Sequence, residues 1–266
     1  VDIVNKEVLG GLYKGLAYRI QVNRPDKLNA INKAMWASIK GELENACASP
    51  APVVLITGTD QVFSSGDDID AMYRLGSLDE SKEFFNKILE VIKAIIECPK
   101  PVVCEVKGLA AGGGAEMLLA CDIVVASDDV WISFPEVALG LLPPLLITIG
   151  VKALGHRKVR YLALTGSRLS AHEAANLGLI DEVVPRLEID NVVDDLIKTL
   201  ASFPKESLTL IKKLSLSDLD YELAQTSIDE LAKLVVKPEA KERMRLFKEG
   251  KYKPAAIRSR KSINKC

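Results

Sequence analysis

Where the β-rich runs fall is what most constrains this chain. Short stretches of Val, Ile and Leu alternate with longer helical patterns up to about Phe134, and from Gly155 onward nearly every segment reads as helix. Leu16 to Val22 predicts a strand closed by the turn cluster Asn23-Arg24-Pro25-Asp26, and Lys33 to Ala48 then carries Met35, Ile39, Leu43 and Ala46 at helical spacing. Pro52 to Gly58 predicts a buried strand, and Ser81 to Ile96 a helix stopped by Cys98-Pro99-Lys100-Pro101. A strand at Val102 to Val106, a helix from about Gly113 to Ala120 and a strand at Ile123 to Ala126 follow. Beyond Gly155 only Ile180 to Val184 has strand character. Ser170 predicts the N-cap of Ala171 to Leu177, and helices are expected over Ile189 to Ala201, Lys205 to Leu214, Leu219 to Val235 and Pro238 to Glu249. The pattern implies an α/β core of stacked βα units, with a helical end that packs on that core or on another subunit.

Bulk properties narrow the function classes. With 266 residues, 48% hydrophobic and 27% charged, the chain has the composition of an ordinary globular protein. A net charge of -1 gives no overall pull toward nucleic acid or anionic lipid, so neither a nucleic-acid nor a membrane partner is expected. The five cysteines are scattered, odd in number and never in a C-x-x-C arrangement, which argues against a zinc site or a disulfide framework and makes a reducing, cytoplasmic setting the simplest expectation. The first residues lack the pattern of a secretory signal, and the longest apolar stretch, Val137 to Val151, is too short to span a bilayer.

The chemistry is concentrated around Gly112-Gly113-Gly114-Ala115-Glu116. The run follows a strand and opens a helix, yet it lacks the third small residue of the dinucleotide fingerprint, and no Gly-Lys-Ser/Thr follows. What remains is a helix start whose backbone N–H groups are unshielded and can face a developing negative charge. Close packing of helix on strand is the plainer alternative, although it ordinarily needs one glycine. Glu116 lies on the first turn of that helix, and Glu136 lies in the apolar stretch Phe134-Pro135-Glu136-Val137-Ala138-Leu139. Apolar surroundings raise a carboxyl pKa and make it a usable acid near neutral pH. Phe63-Ser64-Ser65-Gly66-Asp67-Asp68 reads alone as a turn and N-cap, and beside the triple glycine it can supply a second oxyanion N–H. His156 and His172 have no catalytic or ligand-like spacing and read as helix-surface residues; no metal site is expected.

Taken together, Asn23 to Ala30, Phe63 to Asp68, Gly108 to Glu116 and Phe134 to Glu136 resemble the four signature segments of the crotonase (enoyl-CoA hydratase/isomerase) superfamily, in the family's order and spacing. The resemblance runs from Ala17 to about Val184. It implies a crotonase-like spiral of ββα units over residues 1–190 and a C-terminal helical oligomerisation (trimerisation) region over 191–266, assembled as a homotrimer or homohexamer. It also implies an acyl-CoA thioester as substrate, with coenzyme A entering only as part of it and no separate cofactor. By position, the backbone N–H groups of Asp67 and Gly113 match the family's oxyanion hole, and Glu116 and Glu136 match its two catalytic carboxylates. Glu116 then helps activate water for attack at C3, and Glu136 delivers a proton to C2, the chemistry of a hydro-lyase acting on a trans-2-enoyl-CoA. Lys27, Leu28, Ala30, Ser65, Asp67, Ile69, Phe247 and Lys251 are the implied CoA contacts.

One segment departs from the family. After Gly140 relatives continue through a Pro to a Gly-Gly pair, whereas this chain reads Leu141-Leu142-Pro143-Pro144-Leu145-Leu146. With Asp67 and Asp68 both acidic near the thioester, the Asp67 side chain is expected to face solvent or a basic partner. The alternatives to hydration are a Δ3,Δ2-enoyl-CoA isomerase using Glu136 alone, an acyl-CoA hydrolase and, from a different class, a non-catalytic RNA-binding protein of the same fold.

Overall fold

The computed structural model describes residues 7–215 and 220–252. The chain opens with β1 (Val8–Tyr13) antiparallel to β2 (Ala17–Val22), followed by α1 (Lys33–Ala48), β3 (Val53–Thr57), α2 (Ile69–Arg74) and α3 (Leu78–Glu97). Two turns of one plan come next: β4 (Val102–Val106), β5 (Leu109–Ala111) and α4 (Gly113–Leu118), then β6 (Ile123–Ser127), β7 (Trp131–Ser133) and a 3-10 turn at Glu136–Leu139. After α5 (Gly150–Leu154) and α6 (His156–Thr165) come β8 (Leu169–Ser170), α7 (Ala171–Asn176) and β9 (Glu182–Val184). The helices α8 (Ile189–Ser202), α9 (Lys205–Ser215), α10 (Tyr221–Val235) and α11 (Pro238–Lys248) complete the described chain; Leu219, expected at the start of α10, lies outside the described residues.

The β4/β5 and β6/β7 pairs each divide their strands between two sheets. One has the order β1-β2-β3-β4-β6-β9, parallel except at β1, and the other the order β5-β7-β8. Turning from one sheet to the other and then into a helix gives the ββα winding. β3 (VVLIT) and β4 (VVCEV) are buried at every residue, as parallel strands covered on both faces must be. One cover includes Ile39 and Leu43 of α1 and the α3 face Phe84, Ile88, Ile92 and Ile95. The other is α8, whose Ile189, Val193, Ile197 and Leu200 pack on Ala17, Val53, Leu55, Val103 and Val125. Each such side chain stabilises the fold by about 1.5–3 kcal/mol. The packing therefore continues across residue 190.

Helix ends are closed by specific groups. Ser77 Oγ accepts the Glu80 amide at 3.2 Å to start α3. Lys100 Nζ donates to the carbonyls of Ala46 (2.6 Å) and Ser49 (2.7 Å) at the end of α1. Lys212 Nζ reaches from α9 to Ile95 O at 2.8 Å and Asp122 Oδ2 at 2.6 Å. Lys241 Nζ of α11 donates to Met72 O (2.9 Å), Tyr73 O (2.9 Å) and Leu75 O (2.6 Å), the carbonyls that end α2.

Strand β1 lies beyond the sequence expectation because only Val8 of its six residues is buried, leaving no apolar alternation to read. The four described cysteines are free thiols that the fold brings together in two pairs. Cys47 Sγ lies 2.6 Å from Cys98 Sγ, and Cys104 Sγ lies 2.9 Å from Cys121 Sγ, because α1 and α3 end side by side and α4 returns along β4. Cys266 lies outside the described residues. No helix among the described residues is long and apolar enough to cross a membrane, and no group of three or more His, Cys, Asp or Glu among them could hold a metal ion. His156 and His172 are exposed helix residues.

Candidate active site

The site begins with the loop after β2. Leu28 (φ 51°) and Asn29 (φ 54°) both take the left-handed conformation, which Asn tolerates better than most residues. Fully buried, Asn29 donates from Nδ2 to Val62 O at 2.8 Å and Phe63 O at 3.1 Å, while its Oδ1 accepts the Arg24 amide at 2.7 Å. Ser64 Oγ donates to Asn29 O at 2.8 Å. Arg24 also pairs with Asp68 at 2.5 Å, and Asp68 caps α2 by accepting the Ala71 amide at 3.0 Å. The Asn-Arg-Pro-Asp-Lys-Leu-Asn motif is thus the clasp that fixes the Ser64–Asp68 segment.

That segment lies between the loop and β5. Ile31 bridges Asp67 and Ser64 bridges Ala110, both in parallel sense. The Ile31 bridge uses Gly66 O (2.8 Å) and Asp68 N (2.9 Å), so the N–H of Asp67 itself points to the opposite side. Gly113 is the first residue of α4, and its N–H has no carbonyl to meet within the helix. The two segments are in close contact: a methyl on Gly66 (φ 91°) would stand 2.6 Å from Ala111 O and 3.2 Å from Gly113 N. A methyl on Gly114 would stand 2.7 Å from Ser64 Cβ, and one on Gly113 3.0 Å from Asp67 Oδ2. Close approach requires glycine at 114, and at 113 it leaves a side chain room only if Asp67 and Trp36 yield.

Three carboxyl groups converge on this point. Glu116 is buried, and its Oε1 accepts the amides of Leu145 at 2.8 Å and Leu146 at 2.9 Å. Burial pushes it up to about 8 against those two donors, with the Asp67 charge adding to the rise. Glu136 has an Oε2 closed off from solvent with no hydrogen-bond partner, and its Oε1 lies 3.4 Å from where a methyl on Gly112 would stand. Burial first, then the Glu116 and Asp67 charges, push Glu136 well above the carboxylate range. Asp67, expected to face solvent or a base, instead turns inward. Trp36 Nε1 donates to its Oδ1 at 2.9 Å, and burial raises it to about 7 despite that bond. The reason is the Ile31 bridge, which sets Asp67 against the indole projecting from α1.

A cavity of about 320 Å³ opens onto these groups, lined by Asp67, Gly112, Glu116 and Glu136. Of the residues implied as CoA contacts, Leu28, Ser65, Ile69 and Phe247 also line it, together with Asp67. Lys27, Ala30 and Lys251 are not brought to the lining. Lys27 pairs with Asp70 at 3.5 Å, the Ala30 carbonyl accepts from Arg24 at 3.1 Å, and Lys251 pairs with Glu249 at 2.8 Å on the surface. Residues beyond 252 lie outside the described chain. Leu145 and Leu146 bury their side chains away from the lining and present their amides to Glu116, while Leu141 and Pro144 of the same segment wall the cavity. Sequence reasoning passed over Trp36, which reads as one more apolar position of α1. It also passed over Arg168, whose guanidinium stacks 3.8 Å from the centre of the Trp131 ring at the cavity wall.

The arrangement has counterparts among known proteins. The family model described as enoyl-CoA hydratase/isomerase matches residues 13–254. The human enoyl-CoA hydratase domain-containing protein 3, mitochondrial, is 30% identical over 221 residues, covering 80% of this chain and 73% of its own. A crystal structure of an enoyl-CoA hydratase from Mycobacterium avium subsp. paratuberculosis K-10 is 30% identical with a TM-score of 0.83, covering 92% of this chain and 96% of that one. The structure of Pseudomonas aeruginosa OdaA is 28% identical with a TM-score of 0.82, covering 91% and 98% respectively. On the match across nearly its whole length, the chain belongs to the enoyl-CoA hydratase/isomerase family.

Proposed function

We propose that the protein hydrates trans-2-enoyl-CoA thioesters, or dehydrates the 3-hydroxyacyl-CoA in reverse. The observation that carries this reading is the unequal solvation of two neighbouring carboxyl groups. Glu116 receives two backbone amides, which favour its ionised form, whereas Glu136 Oε2 has no donor and feels the Glu116 charge. Environments that separate two titrating groups in this way divide the roles of base and acid. Ionised Glu116 takes a proton from water as the oxygen adds to C3. The electrons of the double bond move to the thioester oxygen, which accepts from the N–H groups of Asp67 and Gly113. Protonated Glu136 then gives its proton to C2. Removing one oxyanion donor typically costs about 10²–10³ in kcat, which is the scale of help these two amides would lend.

Loss of the conjugated enoyl-thioester absorbance with crotonyl-CoA and longer homologues tests the assignment. No turnover at any chain length would overturn it. A Δ3,Δ2-enoyl-CoA isomerase acting through Glu136 alone is the second reading, favoured by the engagement of Glu116 Oε1 with Leu145 and Leu146. It predicts that E116Q keeps most of the turnover of a 3-enoyl-CoA. The trimer or hexamer that the family resemblance implies is checked by light scattering.

A further inference from the structure

We propose that the cavity accepts an acyl group that itself ends in a carboxylate, and that Arg168 recognises that carboxylate. The inference rests on the acyl-thioester reading of the same cavity and narrows its substrate class.

Arg168 immediately precedes β8, whose antiparallel pairing sets Ser170 opposite Trp131 and Leu169 opposite Ile132. One further step brings Arg168 opposite Ser133. Residues two apart on a strand share a face, so Trp131, Ser133 and Arg168 stand on one side of the small sheet, and all three line the cavity. The guanidinium carbon stands over the indole of Trp131, 3.8 Å from the ring centre. Its Nε is closed off from solvent without a hydrogen-bond partner, and burial lowers its pKa. Among the described residues no carboxylate forms an ion pair with it.

A partly buried cation without a counter-charge is costly unless something else supplies the anion. The cavity's own acids do not: Glu116 is bonded to Leu145 and Leu146, Asp67 to Trp36, and Glu136 is pushed toward its neutral form. A flat guanidinium fixed on an aromatic face matches the two oxygens of a carboxylate side by side. The phosphates of CoA are the other available anion. The lysines suited to them, Lys27 and Lys248, gather instead on Asp70, next in sequence to the lining residues Leu28, Phe247 and Ile69.

Calorimetric binding of two saturated thioesters of equal length, glutaryl-CoA and valeryl-CoA, tests the proposal without requiring turnover. We expect glutaryl-CoA to bind roughly tenfold or more tightly, the scale of a charge-assisted hydrogen-bonded pair, and the ratio to fall to about one in R168M. R168Q is the second variant should R168M not fold, and the same collapse is expected there. Equal affinities in the unaltered protein would overturn the proposal. So would a loss in R168M that is the same for glutaryl-CoA, valeryl-CoA and CoA alone, since that marks a phosphate contact or a packing role. Selective glutaryl-CoA binding without hydration of any enoyl-CoA would strike at the hydratase reading and leave this one standing.

Independently of the cavity, we infer that Cys47 and Cys98 are a disulfide-forming pair. Their sulfurs lie 2.6 Å apart where α1 and α3 end, a contact that favours the thiolate at Cys98 while it and burial hold Cys47 as the thiol. Their pairing lowers Cys98 to about 7. Formation of the Sγ–Sγ bond releases two thiol protons and passes two electrons to a small-molecule disulfide, whose own bond is cleaved to two thiols. Treatment with glutathione disulfide, alkylation in denaturant and peptide mass spectrometry should find Cys47 linked to Cys98, with a higher Tm that C47S does not show. Recovery of both residues alkylated, or of glutathione retained on Cys47, would overturn this.

Discussion

The indole N–H of Trp36 donates to Asp67 Oδ1 at 2.9 Å, behind the wall of a cavity where two glutamates already compete for charge. That bond opposes burial, which raises Asp67 to about 7. W36F should push the Asp67 pKa higher still. Carboxyl ¹³C chemical shifts followed through a pH titration measure it, and an unchanged midpoint would show that the indole does not hold the acid.

The three acids also set how stability depends on pH. Burial raises Asp67, Glu116 and Glu136 above their unfolded values, so the folded state holds more protons than the unfolded one from about pH 4 upward. Their contribution is most favourable below pH 4 and is lost as pH rises through about 7 and 8. D67N should therefore raise Tm at pH 8 by about 2 °C or more and have little effect at pH 4. Scanning calorimetry of both proteins at the two pH values decides it.

Catalysis should show the opposite limb. On the hydratase reading turnover needs Glu116 ionised, so kcat/KM for an enoyl-CoA should climb as pH rises toward about 8, where burial sets this group. E116Q and E136Q should each lower kcat by about 10²–10⁴. E116Q should also remove the climb from whatever rate remains, as stopped-flow absorbance across the pH range will report.

G114A should be strongly unfavourable. The added methyl would lie 2.7 Å from Ser64 Cβ and 2.8 Å from its Oγ, the atom that holds Asn29 O and the Gly66 amide. Overpacking of this kind typically costs about 1–3 kcal/mol. In urea titrations, S64G combined with G114A should cost less than the two single changes summed, because the colliding atoms are then gone.

Lys212 is buried between Ile95 O, Lys100 O and Asp122 Oδ2. K212M removes the cation and leaves the Asp122 carboxylate with the Val102 amide, at a cost of about 3–5 kcal/mol. Adding D122N should recover part of that loss in the same denaturation assay.

Much of the winding was legible because its punctuation is local. Pro99 and Pro101 stop α3 at Glu97, and Ser170 caps α7 as its sequence foretells, with Glu173 closing the capping box. Strands β5, β7 and β8, of three, three and two residues, are too short to carry a period, so the small sheet that walls the cavity was invisible. The same sheet hides Arg168, since nothing in Leu164-Thr165-Gly166-Ser167-Arg168 tells that its neighbour will be Trp131, 37 residues earlier (168 − 131 = 37). Glu116 and Glu136 were legible through their motifs. The inward turn of Asp67 was not, because it depends on the bridge to Ile31 across the clasp.

Lys241 ties the last described helix to the carbonyls that end α2, and Leu231 and Phe247 thereby reach the cavity that the same chain begins at Leu28. The described residues of one chain thus line the pocket from Leu28 near its start to Phe247 near its end. Were copies with and without E136Q mixed in one population, activity should decline in proportion to dose, with neither rescue of a damaged copy by an intact one nor poisoning of an intact copy by a damaged one.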